Sequence, residues 1–458
     1  MFRKVGLGFS FAIAAILAGC GGGGGSSTPA ATAPTCAITQ TSNGSTLCLN
    51  EIKINGVSYS GADIFYAASA KLKDNNSDIV YSLANLSTNS TPTTIQFLKG
   101  TADPLAFTTW TPTITGAGAT AQAYYARDIV FGDFGNGKTS MYIADQSEYK
   151  ANAATSTFDG VNQYVYTNDG AGNFTKTLLD FGVGSIHGPA VGNLATDGFS
   201  FFFNNPFTPN TNIAATGGDL TAGTTQHTQT INGGKCFYSA GVMLKHASSS
   251  GGTNSTKRDL ICFSQDNGVG TANITNHRIF FNNGAGGFVT QLALNTSAPQ
   301  GWTVEDVVVG NFSGRADGRE DFVVLYVNRS VANGNPAFEN TSVKIYVPDV
   351  NGVPQDQTAA YFGAGCTACT DFTDDVTKFH RIKGVDVNND GKLDLAMVRQ
   401  TVGAPTYTRQ LEVLVNTGGS FTRKTFTAGN SYMGYAVTPI GNKLMVSVGG
   451  KLYLGAVQ

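Results

Sequence analysis

The stretch Gly384 to Arg399 reads GVDVNNDGKLDLAMVR. An apolar lead-in reaches Asp386. Asn388 and Asp390 follow at alternate positions, then Gly391, then Asp394. A hard cation such as Ca²⁺ takes six to eight oxygens at short range, and alternate side chains of a tight loop supply them. The expected ligands are the side-chain oxygens of Asp386, Asn388, Asp390 and Asp394 and the backbone carbonyl of Lys392, with Gly391 at the sharp turn. An EF-hand needs a bidentate Glu at the twelfth loop position, and that position is Met397. Leu393, Leu395 and Met397 alternate with other residues, as a strand does, so the loop joins strands and not helices. An Asn/Asp/Gly hairpin turn that binds nothing is the simpler alternative. Three carboxylates crowded into one loop repel each other unless a cation is present, which favours the metal.

Partial copies of this stretch recur roughly every 50–75 residues. The first, Ile64 to Leu83, keeps Asp74 and Asp78 but has Ala70 and Leu72 at the first two ligand positions, so no metal is expected there. The second, Asp128 to Asp145, keeps only Asp133 in a loop one residue short, and an outer turn, NDGAGNF, ends at Phe174. The third, His187 to Asn205, has Phe201 in place of the last ligand. Thr208 to Gly234 then reads as a long polar insert. The fourth, Ala240 to Phe263, has a stretched loop and an outer half, RIFFNNGAGGF, from Arg278 to Phe288. The fifth, Val304 to Val327, aligns Asn311, Ser313, Asp317 and Asp321 as ligands of a weaker second site. The sixth contains the opening stretch and the outer turn VNTGGSF, and the tail from Tyr435 to Val457 alternates around Gly441-Asn442 and Gly449-Gly450.

A DxNxDGxxD loop between strands, paired with an NDGxGxF outer turn, resembles the FG-GAP/VCBS repeats of integrin-like β-propellers. The resemblance implies an all-β fold: a β-propeller of seven four-stranded blades, with six or eight as alternatives, over residues 48–458. The stretch Glu51 to Ser60 is expected to seal the ring, because an open stack of sheets leaves edges exposed. The resemblance also implies calcium loops on one face and partner docking on the other, where the innermost strands begin. Counting six residues back from the first loop position gives Arg127, His187, Glu305 and His380. The next residues are Asp128, Gly188, Asp306 and Arg381. A ring of mixed charge there is a candidate polar ligand site; mutually satisfied strand ends are the simpler reading.

The first residues read as a targeting segment. Arg3 and Lys4 precede an apolar run, Val5 to Leu17, too short to span a bilayer. Leu17-Ala18-Gly19-Cys20 resembles the lipobox of bacterial lipoproteins. That implies cleavage after residue 19, lipid on Cys20 and, with Gly21 next, the outer membrane. Residues 20–47 are read as a flexible tether, opening with GGGGGSSTPAATA. Six further cysteines, Cys36, Cys48, Cys236, Cys262, Cys366 and Cys369, suit disulfides in an exported chain. Nearest-neighbour pairing is one connectivity among several.

Charged residues are 13% of the 458 and the formal net charge is −2, which gives no basic face for nucleic acid. Neither a GxSxG elbow nor an HExxH motif occurs, and the five histidines are scattered. The function expected is therefore a surface-anchored, calcium-stabilised binding or adhesion module for a glycan or a protein. The alternatives are a polysaccharide-active enzyme using His187 and His380 at the channel, or a structural envelope-assembly lipoprotein.

Overall fold

The computed structural model describes residues 36–61, 64–83, 92–145, 151–152, 157–158, 161–184, 188–195, 198–204, 212–216, 227–229, 238–246, 257–263, 277–284, 288–294, 302–328, 338–363, 371–375, 381–401, 408–427 and 433–457. The chain divides into Met1–Thr35 and Cys36–Gln458. The signal segment, Cys20 and the first part of the tether lie outside the described residues. So do His187, His380, Cys236, Cys366 and Cys369. Among the described residues, no helix is long and apolar enough to cross a membrane.

Short runs rich in β-branched and aromatic residues form strands, and Gly/Asn/Asp turns separate them. The first repeat contributes Ile64–Ala70, Asp78–Leu83, Gln96–Gly100 and Ala106–Trp110, hydrogen-bonded in sequence order. The second contributes Ala126–Asp133, Thr139–Asp145, Val161–Asn168 and Phe174–Gly184, and the fourth Tyr238–Val242, Asp259–Phe263, Arg278–Asn282 and Phe288–Ala293. The third begins with Ala190–Ala195, the fifth with Trp302–Gly310 and the sixth with Ile382–Val385. This antiparallel meander, with innermost strands side by side, is the β-propeller expected from the repeats.

Seven blades are expected from the repeats; counted as hydrogen-bonded sheets of four or more strands, the described residues form six. One of these has nine strands, because Asp371–Asp375 pairs with both Phe338–Pro348 of the fifth repeat and Asp394–Thr401 of the sixth. The seal also differs from expectation. The strand that pairs with Lys451–Val457 is Ser45–Glu51, so only Glu51 of the expected segment takes part. Lys53–Ile54 instead runs parallel to Ala106–Trp110 in the first sheet. Ile38–Ser42 adds outside Ser45–Glu51, and a Cys36–Cys48 disulfide with Cα atoms 5.2 Å apart fastens the two. The folded unit therefore begins at Cys36 and not at residue 48, since strand pairing claims residues read as tether. Cys262 is also disulfide-bonded.

The apolar cores lie between neighbouring sheets. Leu47, Val413 and Val446 pack together where the sixth repeat meets the last sheet, and Phe97, Ile143 and Phe174 do so between the first and second repeats. A second strand sandwiched on both faces is buried along its length, as in Asp321–Val327. Thr438 Oγ1 donates to the Ala67 carbonyl at 3.1 Å, joining last and first inner strands.

The outer-turn motif has a specific task. Asn416 Nδ2 donates to the Phe312 carbonyl of the preceding repeat at 2.7 Å and to Leu393 O at 3.2 Å. Asn168 bonds Leu72 O and Thr139 O, and Asn282 bonds Leu194 O and Arg258 O, in the same way. Each Asn Oδ1 accepts the amide of the Gly two residues on, at 2.9 Å. The motif thus clamps the second repeat to the first, the fourth to the third and the sixth to the fifth. The motif's Phe follows suit: Phe421 stacks on Phe362 with ring centroids 5.2 Å apart.

Candidate functional site

The loops that end the inner strands are built around buried carboxylates. Asp394 is fully buried; its oxygens accept the amides of Val387 at 2.9 Å and Asn416 at 2.7 Å. Burial first, then the nearby Asp390 and Asp386, raises its carboxyl to about 6. Asp78 and Asp259 hold amides at the same place in the first and fourth repeats. The last loop carboxylate is thus a staple between the loop and its own sheet. Asn388 and Asp390 form the exposed rim, with Asp386 half-buried beside them. Asp386 accepts the amides of Asp390 and Gly391 at 3.0 and 2.8 Å, and Asn389 and Gly391 take positive φ of 58° and 84°.

This donor set, carboxylates, an amide oxygen and the Lys392 carbonyl on one tight turn, suits a hard cation chemically. Among the described residues, no three His, Cys, Asp or Glu side chains converge as a metal-holding group. In the fifth repeat Asn311 and Arg315 bond each other across the turn. The Ser313 amide donates to Asp321 at 2.6 Å. Asp317 pairs with Arg319 at 2.5 Å, and its carbonyl accepts Lys245 Nζ at 2.7 Å. Protein cations surround Asp317, where the sixth loop offers only Lys392 to Asp390 at 3.2 Å.

The opposite ends of the inner strands carry the second cluster. Of the four residues predicted by counting, the structure brings two together: Arg127 Nη2 donates to Glu305 Oε1 at 2.8 Å, both buried. Each is the residue skipped by a register shift, between Ala126 and Asp128 and between Val304 and Asp306. A β-bulge re-aims its extra side chain, and here both turn inward. Arg381 Nη1 lies 3.9 Å from the same Glu305 oxygen.

The following residues form a network. Tyr66 donates its hydroxyl to Asp128 Oδ1. Tyr238 donates to Asp306 Oδ1 at 2.8 Å, and the Ile382 amide donates to Asp306 Oδ2 at 3.1 Å. A side chain at Gly188 would collide with the Tyr238 ring, which explains the glycine in that row. Lys383 Nζ donates to the Tyr66 hydroxyl at 2.9 Å and sits 4.7 Å from its ring centroid. Burial, reinforced by Asp128 and Asp306 respectively, raises both phenols well above the usual tyrosine range. Counting reached Asp128, Asp306 and Arg381 as neighbours of its first row. Tyr66, Tyr238 and Lys383 escaped it; for Tyr66 the reason is a bulge between Ile64 and Tyr66 that moves the register by one.

No protein-family model matches the sequence, and no curated protein matches it. Solved structures do. One is the Dos1 propeller, 11% identical with a TM-score of 0.41, covering 89% of this chain and 95% of that one. Another is a fucose-specific lectin from Aleuria aurantia, 9% identical with a TM-score of 0.37, covering 81% and 98%. A third is an α-L-arabinofuranosidase from Fusarium graminearum, 8% identical with a TM-score of 0.39, covering 88% and 98%. At these scores they carry no argument about function.

Proposed function

We propose that the chain is a displayed recognition module: a β-propeller held to a bacterial outer membrane by lipid on Cys20 that binds a glycan or protein at the channel end of its inner strands. The observation that carries this reading is the fixed charge array there. Arg127, Arg381 and Lys383 face Asp128, Glu305 and Asp306 on strands locked by sheet pairing. The described carboxylates are already engaged by donors. Tyr66 and Tyr238, raised by burial, stay protonated and act as donors, not bases. Such an array suits recognition, and among the described residues it offers no proton-transfer pair; His187 and His380 lie outside them.

The tether sequence and lipobox support display at a surface, and the Asp386–Asp394 donor set supports calcium as a stiffener of the opposite loops. The test is a pull-down of glycans and envelope proteins on the full chain, with and without EDTA. Specific retention of a glycan or protein, weakened by Glu305→Gln, is expected. Retention of nothing, or turnover of a polysaccharide, overturns the reading.

A further inference from the structure

Exposed large apolar residues, such as Val57 and Val350, are scattered. Buried Glu412 is saturated by Arg399, Arg423, Gln410 and Thr425. Lys176 already bonds the Thr120 carbonyl and sits over Tyr164. One group remains. Arg381 is only 6% exposed, and among the described residues its Nε and Nη2 have no hydrogen-bond partner.

These two atoms form one edge of the guanidinium, with parallel N–H bonds that match the two oxygens of a carboxylate. Nη1, on the other side, faces Glu305. The neighbouring carboxylates are committed elsewhere: Glu305 to Arg127, Asp306 to Tyr238 and the Ile382 amide, and Asp128 to Tyr66. Buried donors without acceptors are costly, and an arginine fork is costly to leave unmet. We propose that the Nε–Nη2 edge of Arg381 binds the carboxylate of an acidic ligand entering the channel end, which deepens and rests on the recognition reading above. The local charges argue for a singly charged group. Among the described residues three cations stand with three carboxylates, so a bound carboxylate adds one unbalanced negative charge and a dianionic phosphate adds two.

The experiment is calorimetric titration of the full chain with sodium acetate, sodium glucuronate, a peptide with a free C-terminal carboxylate, inorganic phosphate and glucose. Saturable binding of a carboxylate is expected, weakened about tenfold in Arg381→Lys, which keeps the charge and loses the fork. Glucuronate or the peptide binding better than acetate identifies the source of the group. Because Arg381→Lys could unfold the chain, carboxylate-dependent thermal stabilisation of the unmodified protein is a second readout. No saturable carboxylate binding and no such stabilisation overturns the proposal, as does phosphate binding more tightly than every carboxylate, or Arg381→Lys binding as well as the parent. A chain that retains a neutral glycan yet ignores carboxylates loses this inference and keeps the recognition reading. A chain that retains nothing loses both.

Discussion

Arg127 and Glu305 lie 178 residues apart in sequence and meet at 2.8 Å, each as the extra residue of a β-bulge in the inner strand of its own repeat. A regular strand would place neither side chain in that position, because alternation fixes which face each residue takes. The bulge breaks the alternation at one residue and leaves the rest of the strand in register. The second and fifth repeats are thereby joined across the channel end by charge rather than by apolar packing. Arg381 adds the sixth repeat to the same carboxylate.

Breaking a buried pair strands the remaining charge, which costs about 3–5 kcal/mol. Glu305→Ala is therefore expected to destabilise the propeller by up to about that amount, since it removes the buried carboxylate that Arg127 meets and leaves Arg381 less compensated. Arg127→Met combined with Glu305→Met should cost less than the sum of the single changes. Urea midpoints of the four proteins make the cycle. Additive effects would show that the pair is not coupled.

The Asn clamps predict a graded result. Asn416→Ala removes two buried side-chain bonds, to Phe312 O and Leu393 O, and leaves both carbonyls to find other donors. Each orphaned group costs about 1–3 kcal/mol. Asn168→Ala and Asn282→Ala should cost similar amounts, because their bonding is the same. Asn173→Ala, in the Asn168 turn, loses only solvent-exposed bonds, to Asp169 and from the Thr113 amide, and should cost less. Equal stability of Asn416→Ala and Asn173→Ala would refute the clamp.

The propeller was legible because it is repetitive: the NDGxGxF turn encodes an Asn clamp, a Gly that turns the chain and a Phe that packs on the preceding repeat, all local in sequence. The channel-end cluster was half legible. Arg127 and Glu305 share a count from their loops, but the count carries no bulge, so Tyr66 fell one position out and was missed. Tyr238 was missed because its ring occupies the space above Gly188, a contact between strands that no spacing within one repeat reveals. The last loop carboxylate reads as a ligand in sequence. Its second task, holding the amides of Val387 and Asn416, appears only when the outer turn folds back beside it.

The buried carboxylates give stability a pH dependence. Burial pushes Asp145 up to about 6 and Asp259 up to about 7, from an ordinary 3.8. Between those limits the folded chain holds protons that the unfolded chain has released, so their contribution falls as pH rises from about 4 to about 7. Burial pushes His277 down to about 4, so its contribution falls in the other direction, as pH drops from 6.5. Burial also lowers His246, so its contact with Asp259 at 3.6 Å is not an ion pair near neutrality. Asp259→Asn removes one carboxylate contribution. Its stability, from urea midpoints across this window, should decline less with rising pH than that of the parent. Parallel curves would count against the assignment.

Calcium separates the two tasks of the sixth loop. Half-buried Asp386 and exposed Asp390 bond mainly the turn's own amides, so replacing them removes cation donors while the buried staple stays. Asp394 holds the loop to its sheet whether or not a cation binds. Added calcium should therefore raise the melting temperature of the parent, and the combined Asp386→Ala and Asp390→Ala variant should lose that increment. Without calcium, that variant should melt close to the parent, whereas Asp394→Ala should melt lower in both conditions because two buried amides lose their acceptor. Melting curves in calcium and in EDTA distinguish these cases. An unchanged parent curve on adding calcium would remove the metal from this loop and leave the staple as its whole role.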